Sequence, residues 1–172
     1  MIGNDESKIA ATEDAPDTIE SVKVLGVQVH LLTERRLHKY IADVVSKNSR
    51  SLVLNVNVHC YNMVHRNPWL RDFLNQAEIV FCDGAGVVLG GKILGHCIPE
   101  RFTPADSIWN LAALAQKEGI SFFFLGAKPG IADKAAQKLT DRFPGLKITT
   151  HHGYFDKSVD SGENKKIIQQ IN

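Results

Sequence analysis

Hydrophobic and polar positions change period repeatedly along the chain. Val22 to Leu25 and Val27 to Leu32 are short apolar runs split by Gly26, and their alternation predicts a pair of strands. Thr33 follows as a helix cap, because Leu37, Tyr40, Ile41, Val44 and Val45 fall on one helical face running to about Lys47. Ser51 to Val58 reads as a buried strand. A helix from about His59 is interrupted at Asn67-Pro68, since proline disfavours helical geometry in the residue before it, and a second piece runs from Pro68 to Gln76. Glu78 to Cys82 is the next strand, and a helix holding Val87, Val88 and Leu89 stops near Gly95. After a loop over 96–105, Asp106 is predicted to cap a helix to about Glu118, with Ile108, Leu111, Ala112 and Ala115 inward. Ser121 to Leu125, rich in phenylalanine, predicts a central strand. The next helix places Ala132, Ala135, Ala136 and Leu139 on one face. Leu146 to Thr150 is a further strand, and a last helix from near Gly162 sets Ile167, Ile168 and Ile171 on one side. Trp69 and Trp109 read as core.

Strands alternating with amphipathic helices predict a layered, Rossmann-like α/β fold, its mainly parallel sheet flanked by helices. The last helix has an apolar face where another strand should come next, so the domain is predicted to be truncated at Asn172. A natural terminal helix packed on the sheet is the alternative.

Charge divides the chain. The first twenty residues hold six acids against one base, Lys8, and are predicted to form a disordered acidic tail. Residues 21–172, the expected domain, hold nineteen bases against thirteen acids, so the net charge of +1 hides a mildly basic body. Such a body suits an anionic ligand or a membrane surface, and equally an ordinary basic exterior. Nothing in the net charge asks for nucleic acid. Cys60, Cys82 and Cys97 are too few and too scattered for a disulfide framework, which favours a reduced, cytoplasmic setting. No apolar run approaches the roughly 20 residues that span a bilayer, and no secretory signal opens the chain.

In open α/β sheets, ligands bind beyond the carboxyl ends of the strands, and three predicted ends carry unusual chemistry. The first is Asn55-Val56-Asn57-Val58-His59, where amides interrupt an apolar run and Asn57 either meets a ligand or caps the next helix. The second is Asp83-Gly84-Ala85-Gly86, where a carboxylate ending a buried strand is placed either as a general base or as a helix cap. Its glycines match a dinucleotide fingerprint poorly, and Asp106, about twenty residues on, starts a helix where a ribose-binding acid should end a strand. The third is Gly126-Ala127-Lys128-Pro129-Gly130, a turn that either exposes amides and Lys128 to phosphate or only joins strand to helix. Arg101 is a clamp for phosphate or carboxylate, or a surface charge. His151-His152, His59-Cys60 and His96-Cys97 lack a repeated ligand spacing, and no Asp-x-Asp occurs, so no metal site is expected.

Taken in order, these segments resemble the WecG/TagA/CpsF family of bacterial glycosyltransferases from about Val22 onward. The resemblance rests on Leu25-Gly26-Val27, Asn57-Val58-His59, Asn75-Gln76-Ala77, Asp83-Gly84-Ala85-Gly86-Val87-Val88, Pro99-Glu100-Arg101, Leu125-Gly126-Ala127-Lys128-Pro129-Gly130 and His152-Gly153-Tyr154-Phe155. It implies an inverting, metal-independent transferase with no cofactor. A sugar such as N-acetylmannosamine, its uronic acid or glucose would move from a UDP-sugar donor to a polyprenyl-diphosphate-linked acceptor, for teichoic acid, enterobacterial common antigen or exopolysaccharide. It implies that Asp83 is the general base, with Asn57 near the sugar and Arg101 facing the donor. Gly84, beside that base, is expected to bind substrate. Gly126, Lys128 and Gly130, with Gly153, Tyr154 and Phe155, would line the nucleotide pocket. Asn55 stands where the family often has threonine, so an amide would replace a hydroxyl contact to sugar. Family members continue into a strand, a Gly-x-Pro-x-Gln-Glu-like segment and a membrane-associating appendage, none of which lies in these 172 residues. The expectation is a homo-oligomer with weak or no transfer by itself, peripheral at the inner face of the cell membrane through a part not present. A dinucleotide-binding oxidoreductase and an inactive nucleotide-binding fragment are the competing readings.

Overall fold

The computed structural model describes residues 19–172. The predicted acidic tail lies outside the described residues apart from Ile19 and Glu20. The fold separates into two compact units, divided between Ser107 and Ile108.

In the first unit, β1 (Ser21–Val24) and β2 (Val27–His30) form an antiparallel hairpin, pairing Val22 with Val29 and Val24 with Val27. Leu25 and Gly26 turn the chain with φ of +47° and +85°, the left-handed pair that a two-residue hairpin turn requires. Asn75 brackets this turn, accepting from Gln28 N at 2.8 Å and donating to Gly26 O at 3.0 Å. Helix α1 (Glu34–Ser46) starts at Thr33, whose hydroxyl accepts from Arg36 N. Next, β3 (Val53–Val56) and β4 (Ile79–Cys82) pair in parallel, joined through α2 (Val58–Arg66) and α3 (Pro68–Asn75). His30 ties β2 to β4: its Nδ1 accepts from Val80 N at 2.9 Å, and burial pushes its pKa down. Helix α4 (Ala85–Ile93) follows β4. Buried valines 24, 27, 29, 56, 80 and 87 form the main core, and a second cluster joins Leu32, Leu37, Ile79, Phe81 and Phe102, with Ile19 packed against it.

Helix α5 (Pro104–Glu118) begins three residues earlier than expected. Thr103, not Asp106, takes the capping place: its Oγ1 accepts from Asp106 N and donates to Asp106 Oδ2 at 2.9 Å. Proline is favoured at the first position of a helix, because the missing N–H has no helical partner to lose.

In the second unit, β5 (Phe122–Leu125) pairs in parallel with β6 (Ile148–His151) across α6 (Ile131–Arg142), and α7 (Gly162–Ile171) follows, capped by Ser161. Ala112, Ala115, Leu139 and Leu146 form its core, with Phe122 and Phe124 half-buried against them. Among the described residues β5 pairs only with β6, so this strand is half-buried and not the enclosed central strand its sequence predicts. Two parallel pairs, each crossing through helices, give the expected Rossmann-like α/β class. Both tryptophans correct the core expectation: Trp69 and Trp109 are 66% and 37% exposed. Trp109 covers its ring with the Arg142 guanidinium, 5.4 Å from the ring centroid. Ala135 is also exposed, because the helix turns only Ala136 and Leu139 fully inward. Among the described residues no helix is long and apolar enough to cross a membrane.

Candidate functional site

Parallel pairing puts the ends of β3 and β4 side by side, with Val56 opposite Cys82. The next residues, Asn57 and Asp83, therefore emerge together. The Asp83 amide donates to Val56 O at 2.9 Å, which fixes its main chain. Its carboxylate is half-buried, and Oδ2 accepts a 2.7 Å bond from Nδ2 of Asn55, two residues back on the neighbouring strand. Gly84, at φ +135°, occupies the N-cap of α4 and, as glycine, brings no capping side chain. Asp83 is thus free of the capping duty that the sequence also allowed. Asn57 does cap: its Oδ1 accepts from Cys60 N at 3.0 Å, which leaves its amide nitrogen as the remaining donor. Beneath this end lies the Cys82 thiol, which burial pushes up in pKa, with the Asp83 charge acting the same way and Arg101 opposing it.

Arg101 is exposed between two anchored neighbours. Glu100 Oε2 accepts from Glu34 N, the first amide of α1, at 2.8 Å. Phe102 is buried and stacks on Phe81, ring centroids 4.7 Å apart and planes within 8°. Its amide donates to Cys82 O at 3.4 Å. Beside Glu34, buried His38 meets Ser107 Oγ at 2.8 Å through Nε2, and burial lowers its pKa while Glu34 and Glu100 act to raise it. The anchoring of Glu100 and Phe102 depends on contacts distant in sequence. The alternation of a polar, a charged and an aromatic residue around one arginine was the available signal.

The second unit builds its strand end from backbone. Gly126 N donates to His151 O at 3.0 Å, and Gly153 N donates to Ala127 O at 2.8 Å. A Cβ on Gly153 would stand 3.1 Å from Gly126 Cα and 3.3 Å from Ala127 N, so only glycine lets the two loops approach this closely. Ala127 holds φ at +59°, a costly conformation for a residue with a Cβ. Gly130 caps α6 in the left-handed region without a side-chain bond. The first turn of α6 already carries Asp133, which accepts a hydrogen bond from the Thr150 hydroxyl. Any anion at this turn therefore relies on Lys128, which is exposed. Tyr154 is 65% exposed, while Phe155 packs its edge on the His151 ring. Lys157 holds this loop, donating to Gly153 O at 2.7 Å and lying over the Phe155 ring. No motif announced Lys157, although the carbonyl it bonds lies only four residues back in the same loop.

Among the described residues no group of three or more His, Cys, Asp and Glu could hold a metal ion. The rings of His151 and His152 instead lie against each other, centroids 4.5 Å apart, and His151 Nδ1 is taken by His152 O. Asp106 accepts from the Thr103 hydroxyl in the first turn of α5, so it does not end a strand as the acid of a dinucleotide site would.

Comparison with known proteins agrees with the order of these motifs. The chain is 24% identical over 152 residues to proteins named N-acetylglucosaminyldiphosphoundecaprenol N-acetyl-beta-D-mannosaminyltransferase from Staphylococcus aureus strains NCTC 8325 / PS 47, COL and MRSA252. The match covers 87% of this chain and 58% of each relative, so the chain spans little more than half their length. The family model for the Glycosyl transferase WecG/TagA/CpsF family matches residues 22–172, every strand and helix described above, and the chain belongs to that family.

Proposed function

We propose that this chain carries the catalytic part of an inverting, metal-independent glycosyltransferase. It moves a sugar of the N-acetylmannosamine type, or a related hexose, from a UDP-sugar to a polyprenyl-diphosphate-linked saccharide in cell-envelope polysaccharide synthesis. Family membership and the name of the staphylococcal relatives support the transferred sugar and the lipid-linked acceptor. The UDP donor rests on the resemblance of the motifs alone. One observation carries the catalytic reading: the half-buried Asp83 carboxylate at the joined ends of β3 and β4, held by Asn55 and not used as a helix cap.

The proposed reaction is a single in-line displacement. The acceptor hydroxyl oxygen bonds to the anomeric carbon as the bond from that carbon to the diphosphate oxygen breaks. The hydroxyl proton passes to Asp83, and UDP leaves with the electron pair. Arg101 or Lys128, together with helix N-terminal amides, offsets the charge that develops on the leaving group. Asn57 is proposed to contact the sugar through its amide nitrogen. The Gly126 to Gly130 turn and Gly153-Tyr154-Phe155 are proposed to take the nucleotide. The proposed setting is the cytoplasmic face of the membrane, held there peripherally.

Titrating UDP and NAD against the protein tests the reading, with chelator present in a parallel series. UDP should bind, NAD should not, and binding should survive the chelator. Preferential NAD binding would favour the oxidoreductase, and a strict need for magnesium or manganese would contradict the proposed leaving-group stabilisation.

A further inference from the structure

We infer that Asn55 is a positioning residue for Asp83. The inference rests on the proposed role of Asp83 as base. Asn55 lies inside β3, opposite Phe81, with neighbours Leu54 and Val56 packed into the core. An amide in such a strand is costly unless paired. Its partner is Asp83 Oδ2 at 2.7 Å, within the short range of bonds to a charged acceptor. That bond uses one of the two Nδ2 hydrogens and ties the amide to the carboxylate.

The bond has two consequences for a base. It engages Oδ2 and leaves Oδ1 as the oxygen to receive the acceptor proton. It also fixes the side chain against a competitor. The N-cap of α4 is Gly84, which brings no capping side chain, and helix N-terminal amides attract a free carboxylate. Asn55 pulls from the opposite strand, while the Asp83 amide is held by Val56 O at 2.9 Å. Main chain and side chain are thus fixed by two independent bonds to β3. Small displacements of a reacting group can cost up to about 10²-fold in rate, so this restraint should show in turnover.

The test combines kinetics and spectroscopy on the whole chain. Asn55→Ala should lower kcat by roughly tenfold or more with donor KM within about threefold, the pattern of a lost transition-state restraint. Asn55→Asp sets a second carboxylate beside the first, and the acid limb of its pH–rate profile should move to higher pH. In the wild-type chain, the side-chain Nδ2–H resonances of Asn55 should shift as pH falls through the carboxylate range, and Asp83→Asn should abolish that response. Resonances indifferent to both pH and Asp83→Asn would overturn the contact whether or not the chain turns over. Asn55→Ala that raises donor KM at unchanged kcat, while Asp83→Asn is inactive, would overturn the positioning role and restore Asn55 as a sugar contact. Asp83→Asn that keeps its turnover would instead sink the base itself, a result distinct from both.

Discussion

The two parallel strand pairs both end in glycine turns that lead into helices, yet they shape those turns by different means. Past β3 and β4 the geometry is set by side chains: Asn55 on Asp83, Asn57 on the α2 amides, Glu100 on α1 and Phe102 on Phe81. Past β5 and β6 it is set by backbone: Gly126 bonded to His151, Gly153 bonded to Ala127, and positive φ at Ala127 and Gly130. The first arrangement fixes one functional group, the Asp83 carboxylate, as the proposed proton transfer requires. The second presents a surface of main chain with few side chains in the way, which suits contact with a flat or extended ligand. The same α/β topology thus offers two kinds of chemistry at its strand ends.

If this contrast is real, substitutions in the two units should fail in different ways. The largest effect should come from Phe102→Ala, which removes a buried ring stacked on Phe81 beneath the Arg101 loop. It should cost about 3–5 kcal/mol of stability, read from the denaturant midpoint. Phe124→Ala, at a half-buried site in the second unit, should cost clearly less. Equal losses would break the contrast in packing. Gly153→Ala comes next. Its new Cβ meets backbone at 3.1 Å, where no side chain can swing aside, and about 1–3 kcal/mol should be lost. Gly162→Ala is the control, since nothing lies within 4 Å of its Cβ, and it should change stability by less than about 0.5 kcal/mol.

The smallest effect concerns acid. His30 and His38 in the first unit have pKa values lowered by burial, so the unfolded chain binds protons more readily than the folded one. Stability should be complete above the unfolded value of about 6.5 and decline as pH falls below it. Between pH 7.5 and 5.5 the melting temperature should drop by roughly 2–8 °C. Replacing both histidines by glutamine, which takes no proton, should flatten that slope. A slope unchanged in the double variant would assign the acid sensitivity elsewhere.

Much of the fold was legible because period and punctuation agree. Thr33 before a run with helical spacing, Pro68 after Asn67, and Gly119 after Glu118 all mark element ends that the structure keeps. Errors fall where tertiary contacts decide. Trp69 sits in a short helix that turns Leu70 and Leu74 inward, and a helical face three residues wide has no room for the indole as well. Phe122 to Phe124 read as an enclosed strand because apolar content cannot report how many strands lie alongside. At the site, the residue types at each strand end were visible, but their partners were not. Asn55 and Asp83 are 28 positions apart, and only the register of β3 on β4 brings them together. Glu100 reaches α1 across 66 positions, which no local pattern reports.

The central claim, that the β3 and β4 ends hold the proton acceptor of a sugar transfer, is tested most directly by Asp83→Asn in a version extended to the length of the relatives. Transfer from UDP-N-acetylmannosamine to a polyprenyl-diphosphate-linked acceptor would be followed beside the affinity for UDP. The account expects turnover to fall by roughly 10²–10⁴-fold with UDP affinity nearly unchanged. Turnover within a few-fold of wild type would contradict it and remove Asp83 from the reaction.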